Sequence, residues 1–162
     1  MFIAGLIFVY NIFTTLDLFT VNLEEKFREE IIKNFPQKGI AISKEEFNKG
    51  EVKFFILGIR NDDEENQTFY VHTHCDYATK KDNSIICDID AGINCNQFDS
   101  MVLNNPNDPI KIKSNEIVLE DIFVKVPKTT QKGTYVFYVR VCKDNPCTVE
   151  YRLPQSMTIV VK

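Results

Sequence analysis

No lysine or arginine precedes Lys26, and no A-x-A triplet follows the apolar opening of the chain. Both are needed by an ordinary cleaved signal peptide, and the missing basic flank also leaves the positive-inside rule nothing to read on the Met1 side. No C-x-x-C pair occurs, which removes the usual zinc-finger and zinc-ribbon frameworks. The six glycines form no phosphate-cradling loop. Basic residues follow no stripe, and they are outnumbered, 19 Lys and Arg against 23 Asp and Glu for a net charge of -4. A chain of that balance has no track for a phosphate backbone, so nucleic acid is excluded as a partner.

What is present begins with a long apolar stretch. Residues 1–23 carry one charged side chain, Asp17, and are long enough to cross a bilayer as a helix. Residues 24–35 are rich in helix formers and repeat Leu23, Phe27, Ile31 and Phe35 at intervals of four, which continues the helix with one apolar face. Pro36 and Gly39 end it. At 1.5 Å per residue such a helix is roughly 50 Å long. The expected division is therefore a hydrophobic-to-amphipathic helix over 1–35 and a head over 36–162, with Leu23, Phe27, Ile31 and Phe35 docking on the head. Roughly 125 residues suffice for one domain with its own core. Within the apolar half, Ala4, Asn11, Thr15, Leu18 and Asn22 project into one narrow stripe suited to close helix packing, with Asp17 off the stripe and seeking a polar partner. A short basic leader removed before Met1 would reconcile this helix with its missing flank.

The head changes period from helical to alternating. Strands are expected over 39–43, 51–61, 67–75, 110–113, 116–126, 129–142 and 156–162, with the 51–61 strand central and covered on both faces. Residues 44–50 read as a polar turn. Residues 76–109 are rich in Asp, Asn, Gly and Pro and read as irregular, with one short apolar run at 84–89. Seven or eight short strands joined by turns form an antiparallel β-sandwich. The fold class expected from the whole chain is α+β: one long N-terminal helix followed by that sandwich.

Five cysteines lie in the head. With an apolar N-terminus before them, their spacing points to an exported, disulfide-bearing protein. Cys142 and Cys147 flank the turn Asp144-Asn145-Pro146 and should pair. A second bridge joins two of Cys75, Cys87 and Cys95, the choice being open. Asn66-Gln67-Thr68 is the single N-glycosylation sequon, beside the acidic run 62–65.

Catalytic and metal chemistry find little purchase. His72 and His74 share one face of a strand with Asp76 close behind, but no fourth zinc ligand is identifiable. Residues 88–94 alternate oxygen-bearing side chains, with Asp99 beyond, yet Gly92 and Ile93 break the EF-hand order and no helices flank them. The His-x-His-Cys stretch lacks an oxyanion loop, and the acidic run 62–65 reads as a solvated turn. No metal, no cofactor, no catalytic residue and no small-molecule substrate are expected.

Gly133-Thr134-Tyr135-Val136-Phe137, leading a late strand after a turn, resembles the Gly-x-Tyr start of the penultimate strand in immunoglobulin-like sandwiches. The resemblance implies a tyrosine corner at Tyr135, although the strand-C Trp of that family is absent from a chain with no Trp. The whole layout, apolar helix and then β-sandwich, resembles the archaeal type IV pilin and archaellin class, Gly5 suiting its archaeal members. That resemblance implies a structural, non-enzymatic subunit of an extracellular filament serving adhesion or motility. Its partners would be copies of itself through Ala4, Gly5, Asn11, Thr15, Asp17, Leu18 and Asn22, and the cytoplasmic membrane before assembly. The alternative is a single-pass, membrane-anchored monomeric surface or adhesion protein, a layout shared by stator subunits of the archaellum motor.

Overall fold

The computed structural model describes residues 40–42 and 45–162, all within the compact unit Lys38–Lys162. Among the described residues nine strands form in chain order: β1 (Ile40–Ile42), β2 (Glu45–Phe47), β3 (Val52–Arg60), β4 (Gln67–Lys80), β5 (Ile85–Asp88), β6 (Ile110–Ile112), β7 (Ile117–Lys125), β8 (Gly133–Cys142) and β9 (Gln155–Val161). A 3-10 helix, Asn96–Met101, is the longest helical stretch among them.

The strands make two sheets. The smaller has the order β1-β3-β7, all antiparallel. The larger runs β2-β9-β8-β4-β5, with β6 pairing to the start of β4. Alternation decides which side chains meet between the sheets. Phe55, Leu57 and Ile59 of β3 and Ile122 and Val124 of β7 are buried from one side; Phe69 and Val71 of β4, the four odd-numbered residues 135–141 of β8, and Met157, Ile159 and Val161 of β9 are buried from the other. Phe47 and Phe55 stack at 5.7 Å between ring centroids, joining β2 of the larger sheet to β3 of the smaller.

The α+β expectation is corrected to an all-β sandwich. Among the described residues 53% are in strands, 5% are helical, and no helix reaches seven residues. None is long and apolar enough to cross a membrane. The helix over 1–35, its packing residues Ala4, Gly5, Asn11, Thr15, Asp17, Leu18 and Asn22, and its docking residues Leu23, Phe27, Ile31 and Phe35 lie outside the described residues.

Within the head three further readings change. Residues 45–47 are not part of a turn but strand β2, parallel to β9 through Glu45↔Ile159 and Phe47↔Val161. The β3 strand is central only to the three-stranded sheet, and its second face is open at Val52 and Phe54. Residues 76–80 continue β4, because pairing with β8 runs on to Lys80↔Gly133 and outweighs the polar composition.

Candidate functional site: the cysteine centre and the loops it holds

The sulfur centre originates in a bulge. Cys75 pairs with Phe137 and Tyr77 with Val136, so Asp76 is an inserted residue in β4. Because of it, Cys75 and Ala78 both face the core instead of opposite sides. Cys87 lies across from Ala78 on β5, and Cys95 precedes the 3-10 helix. The sulfurs of Cys75, Cys87 and Cys95 fall within 4.8 Å of one another. Cys87 and Cys95 are joined as a disulfide, with their Cα atoms 5.2 Å apart, and Cys75 is a buried free thiol. Burial, followed by the nearby Asp99 carboxylate, pushes the Cys75 thiol up to about 12. A thiol so protonated and enclosed is a poor nucleophile and packs as a small apolar group.

Backbone and carboxylate bonds hold the irregular segment to this centre. The Asp99 carboxylate accepts the Cys75 N–H at 2.7 Å, tying the 3-10 helix to the bulge. The Asp76 carbonyl accepts the Ile89 N–H at 3.0 Å, and Asp88 and Ile93 exchange two backbone bonds of 2.8 and 3.0 Å. Gly92, at φ +77, closes that small hairpin. Side-chain oxygens of this stretch take part as well: the Asp88 carboxylate accepts the Ala91 N–H, the Asn94 side-chain oxygen accepts the Asn96 N–H, and Asp99 serves Cys75. Asp88 and Asn94 thus cap their own turns, while Asp99 reaches across to β4.

The second staple closes the β8 end. Cys142 and Cys147 form a disulfide with Cα atoms 5.4 Å apart. Inside it the Asp144 carboxylate accepts the Val149 and Thr148 N–H groups and pairs with the Thr148 hydroxyl. Those bonds, that of the Thr148 hydroxyl first, hold the carboxyl below its ordinary range. Next to it Lys143 meets Asp63 at 2.6 Å, and Asp62 sits between Arg60 and Arg152. Tyr151 accepts the Asp62 N–H and donates to the Arg60 carbonyl. The acidic run 62–65 is thus partly neutralised by Arg60 beside it and by Lys143 and Arg152 from the connection between β8 and β9, which its sequence does not reveal.

The two histidines have separate neighbours. His74 lies edge-on to Tyr138 at 5.8 Å, and His72 stands opposite Arg140 in the register. Burial, then the Arg140 charge, lowers the affinity of His72 for a proton, and its Nε2 is buried without a hydrogen-bond partner among the described residues. Among the described residues the one metal-sized group of potential ligands is the cysteine trio, two members of which are already bonded to each other. Asn66 is exposed, its side-chain oxygen accepting the Ser114 N–H at 3.2 Å. Sequence reasoning missed the approach of Lys80, Lys81, Lys132 and Lys162 to one cleft, because only two of the four are adjacent in the chain.

No family model matches the chain, and no curated protein matches it. Among solved structures it is similar to a PapD-like domain of human CEP192, at 11% identity and TM-score 0.45, over 78% of this chain and 87% of that one. A family 123 glycoside hydrolase from Clostridium perfringens is similar at 12% identity and TM-score 0.46, over 76% of this chain and 27% of that one. The class 5 fimbriae chaperone CfaA is similar at 12% identity and TM-score 0.42, over 75% and 54%. At these TM-scores the likenesses carry no argument about binding or activity. The resemblance to the archaeal pilin and archaellin class is corrected by the fold: that class has a long helix, whereas the described residues are all-β with no helix of seven residues. That resemblance drew on the layout of a helix before a β head, and a two-sheet head is shared by many unrelated folds.

Proposed function

We propose that the chain is a non-catalytic binding module that works outside the reducing cytosol, at the cell surface, presenting disulfide-held loops on a rigid β-sandwich. The observation that carries the reading is the pair of short disulfides, Cys87 with Cys95 and Cys142 with Cys147, at sequence separations of 8 and 5. Such bonds persist in oxidising compartments and are rare where thiols are kept reduced. Each one clamps an irregular connection whose backbone has few ladder bonds of its own. Loops fixed on a sandwich are where this architecture places recognition. Adhesion to another surface or protein is the corresponding role.

The test combines two measurements on epitope-tagged protein in its own cells. Protease added to intact cells should remove the tagged head, and non-reducing peptide mapping should recover both disulfide-linked pairs. A head protected from protease, with five free thiols, would overturn the reading.

A further inference from the structure

The ends of three strands meet in one row at the far end of β4. Lys80 of β4 pairs with Gly133 of β8, and Gly133 with Val161 of β9. Gly133 has no room for a side chain: a Cβ there would collide with the Thr79 carbonyl oxygen and lie 3.0 Å from the Lys80 Cα. Beside this row lies a cleft of about 440 Å³ whose lining includes Lys80, Lys81, Lys132 and Lys162. The volume is within the range of natural ligand pockets, ~300 to 1,000 Å³. The Lys81 N–H donates to the Lys132 carbonyl at 3.2 Å, which fixes the turn after β4 against the start of β8.

Charge is concentrated there against the trend of the chain. Lys162 is paired with Glu46. Lys80 feels the Asp82 carboxylate, but one oxygen of that group already accepts the Ser84 N–H and hydroxyl. Four lysines lining one concavity, Lys81 and Lys132 among them without an ion pair among the described residues, in a chain of net charge -4, form a local positive field that draws in carboxylates. Between them Thr134 and Val160, cross-strand neighbours and both half-buried, supply an aliphatic floor.

We propose that this cleft binds an acidic peptide segment of a partner protein, with its carboxylates on the lysine rim and an aliphatic side chain on Thr134 and Val160. The lining favours a peptide over other anions. It offers no aromatic ring on which a base or sugar could stack and no arginine fork for phosphate. The net negative charge of the chain disfavours a long polyanion, whereas a short acidic segment feels mainly the nearby lysines. The proposal rests on the binding-module reading and names its partner class.

Fluorescence anisotropy with the full chain and a labelled oligo-glutamate peptide containing one leucine tests it. Changing Lys80, Lys81 and Lys132 together to Gln should weaken binding about tenfold or more. The same change at Lys111, Lys113 and Lys125, which alters net charge equally at β6, just after it and at the end of β7, should leave the Kd within about twofold. Equal loss from both triple variants, or no binding by the unaltered chain, overturns the cleft. Tighter binding of heparin or polyphosphate than of the peptide overturns the partner class. A head found inside the cell with free thiols fails the binding-module reading and leaves the anisotropy result intact, so the two failures are separable.

Discussion

The Tyr135 hydroxyl donates a 2.8 Å hydrogen bond to the carbonyl oxygen of Gln131, four residues earlier in the chain. The ring is fully buried and meets Phe98 edge-on at 5.0 Å. The bond pins the turn before β8 to the strand itself, the arrangement of a tyrosine corner. Tyr135→Phe keeps the ring and removes the bond, so it should lower unfolding free energy by about 1 to 2 kcal/mol in chemical denaturation, with the slope of the transition unchanged.

Gly133→Ala probes the neighbouring step. The added methyl meets backbone atoms, which cannot rotate away as a side-chain tip can. A loss of about 1 to 3 kcal/mol is expected, seen as a lower melting temperature. Gly92→Ala has open space around its Cβ and should suffer only the strain of a positive φ, roughly 1 kcal/mol.

Asn61 is fully buried. Its amide donates to the Glu65 and Ile112 carbonyls at 2.8 and 3.1 Å, and its side-chain oxygen accepts the Asp63 N–H at 3.1 Å. Asn61→Ala abandons three backbone groups at the junction of β3, β4 and β6. Destabilisation of about 2 to 4 kcal/mol should follow in urea unfolding.

Glu120 gives a pH-dependent prediction. Burial, and then the like charge of Asp121, raises its carboxyl above the ordinary value of 4.5. The folded state therefore holds the proton more tightly than the unfolded chain does. That contribution is fully present below the unfolded value and is lost as pH rises through the folded one. Glu120→Gln should accordingly stabilise the fold near pH 7 and make no difference near pH 3, when unfolding is followed at both.

Serine at both Cys142 and Cys147 releases a short loop from the unfolded chain's constraint. Chain-entropy arguments give about 2 kcal/mol for a loop of this size. Reducing the unaltered protein should produce a larger fall than this double variant shows, because reduction also opens Cys87 and Cys95.

Legibility varied along the chain for reasons visible in single strands. β8 was plain because Tyr135, Phe137, Val139 and Val141 alternate with Val136, Tyr138 and Arg140, and β9 follows that period without a break. β2 was not, since Glu45-Glu46-Phe47 contains one apolar residue, and its strand state depends on pairing with β9, more than a hundred residues away. The end of β4 was hidden by polar composition that the ladder with β8 overrides. The Cys142 and Cys147 pairing could be argued from the turn between them, whereas the choice among Cys75, Cys87 and Cys95 depended on a bulge that alternation alone does not disclose. The lysine cleft left no local trace, because its members come from different strand ends.

The bulge at Asp76 works like a change of phase within one strand. Before it the inward residues of β4 carry odd numbers, Phe69, Val71 and Cys75; after it Ala78 is the inward residue. Were Asp76 absorbed as an ordinary rung of the ladder, each later residue of β4 would oppose the β8 residue one step beyond its present partner. The strand's last four residues would then be upside down relative to the nine before Asp76. Ala78 would leave the core, Thr79 would enter it, and Lys80 would swing off the row it shares with Gly133 and Val161. One inserted aspartate thus sets the parity by which the sulfur centre and the lysine rim can be built on the same strand.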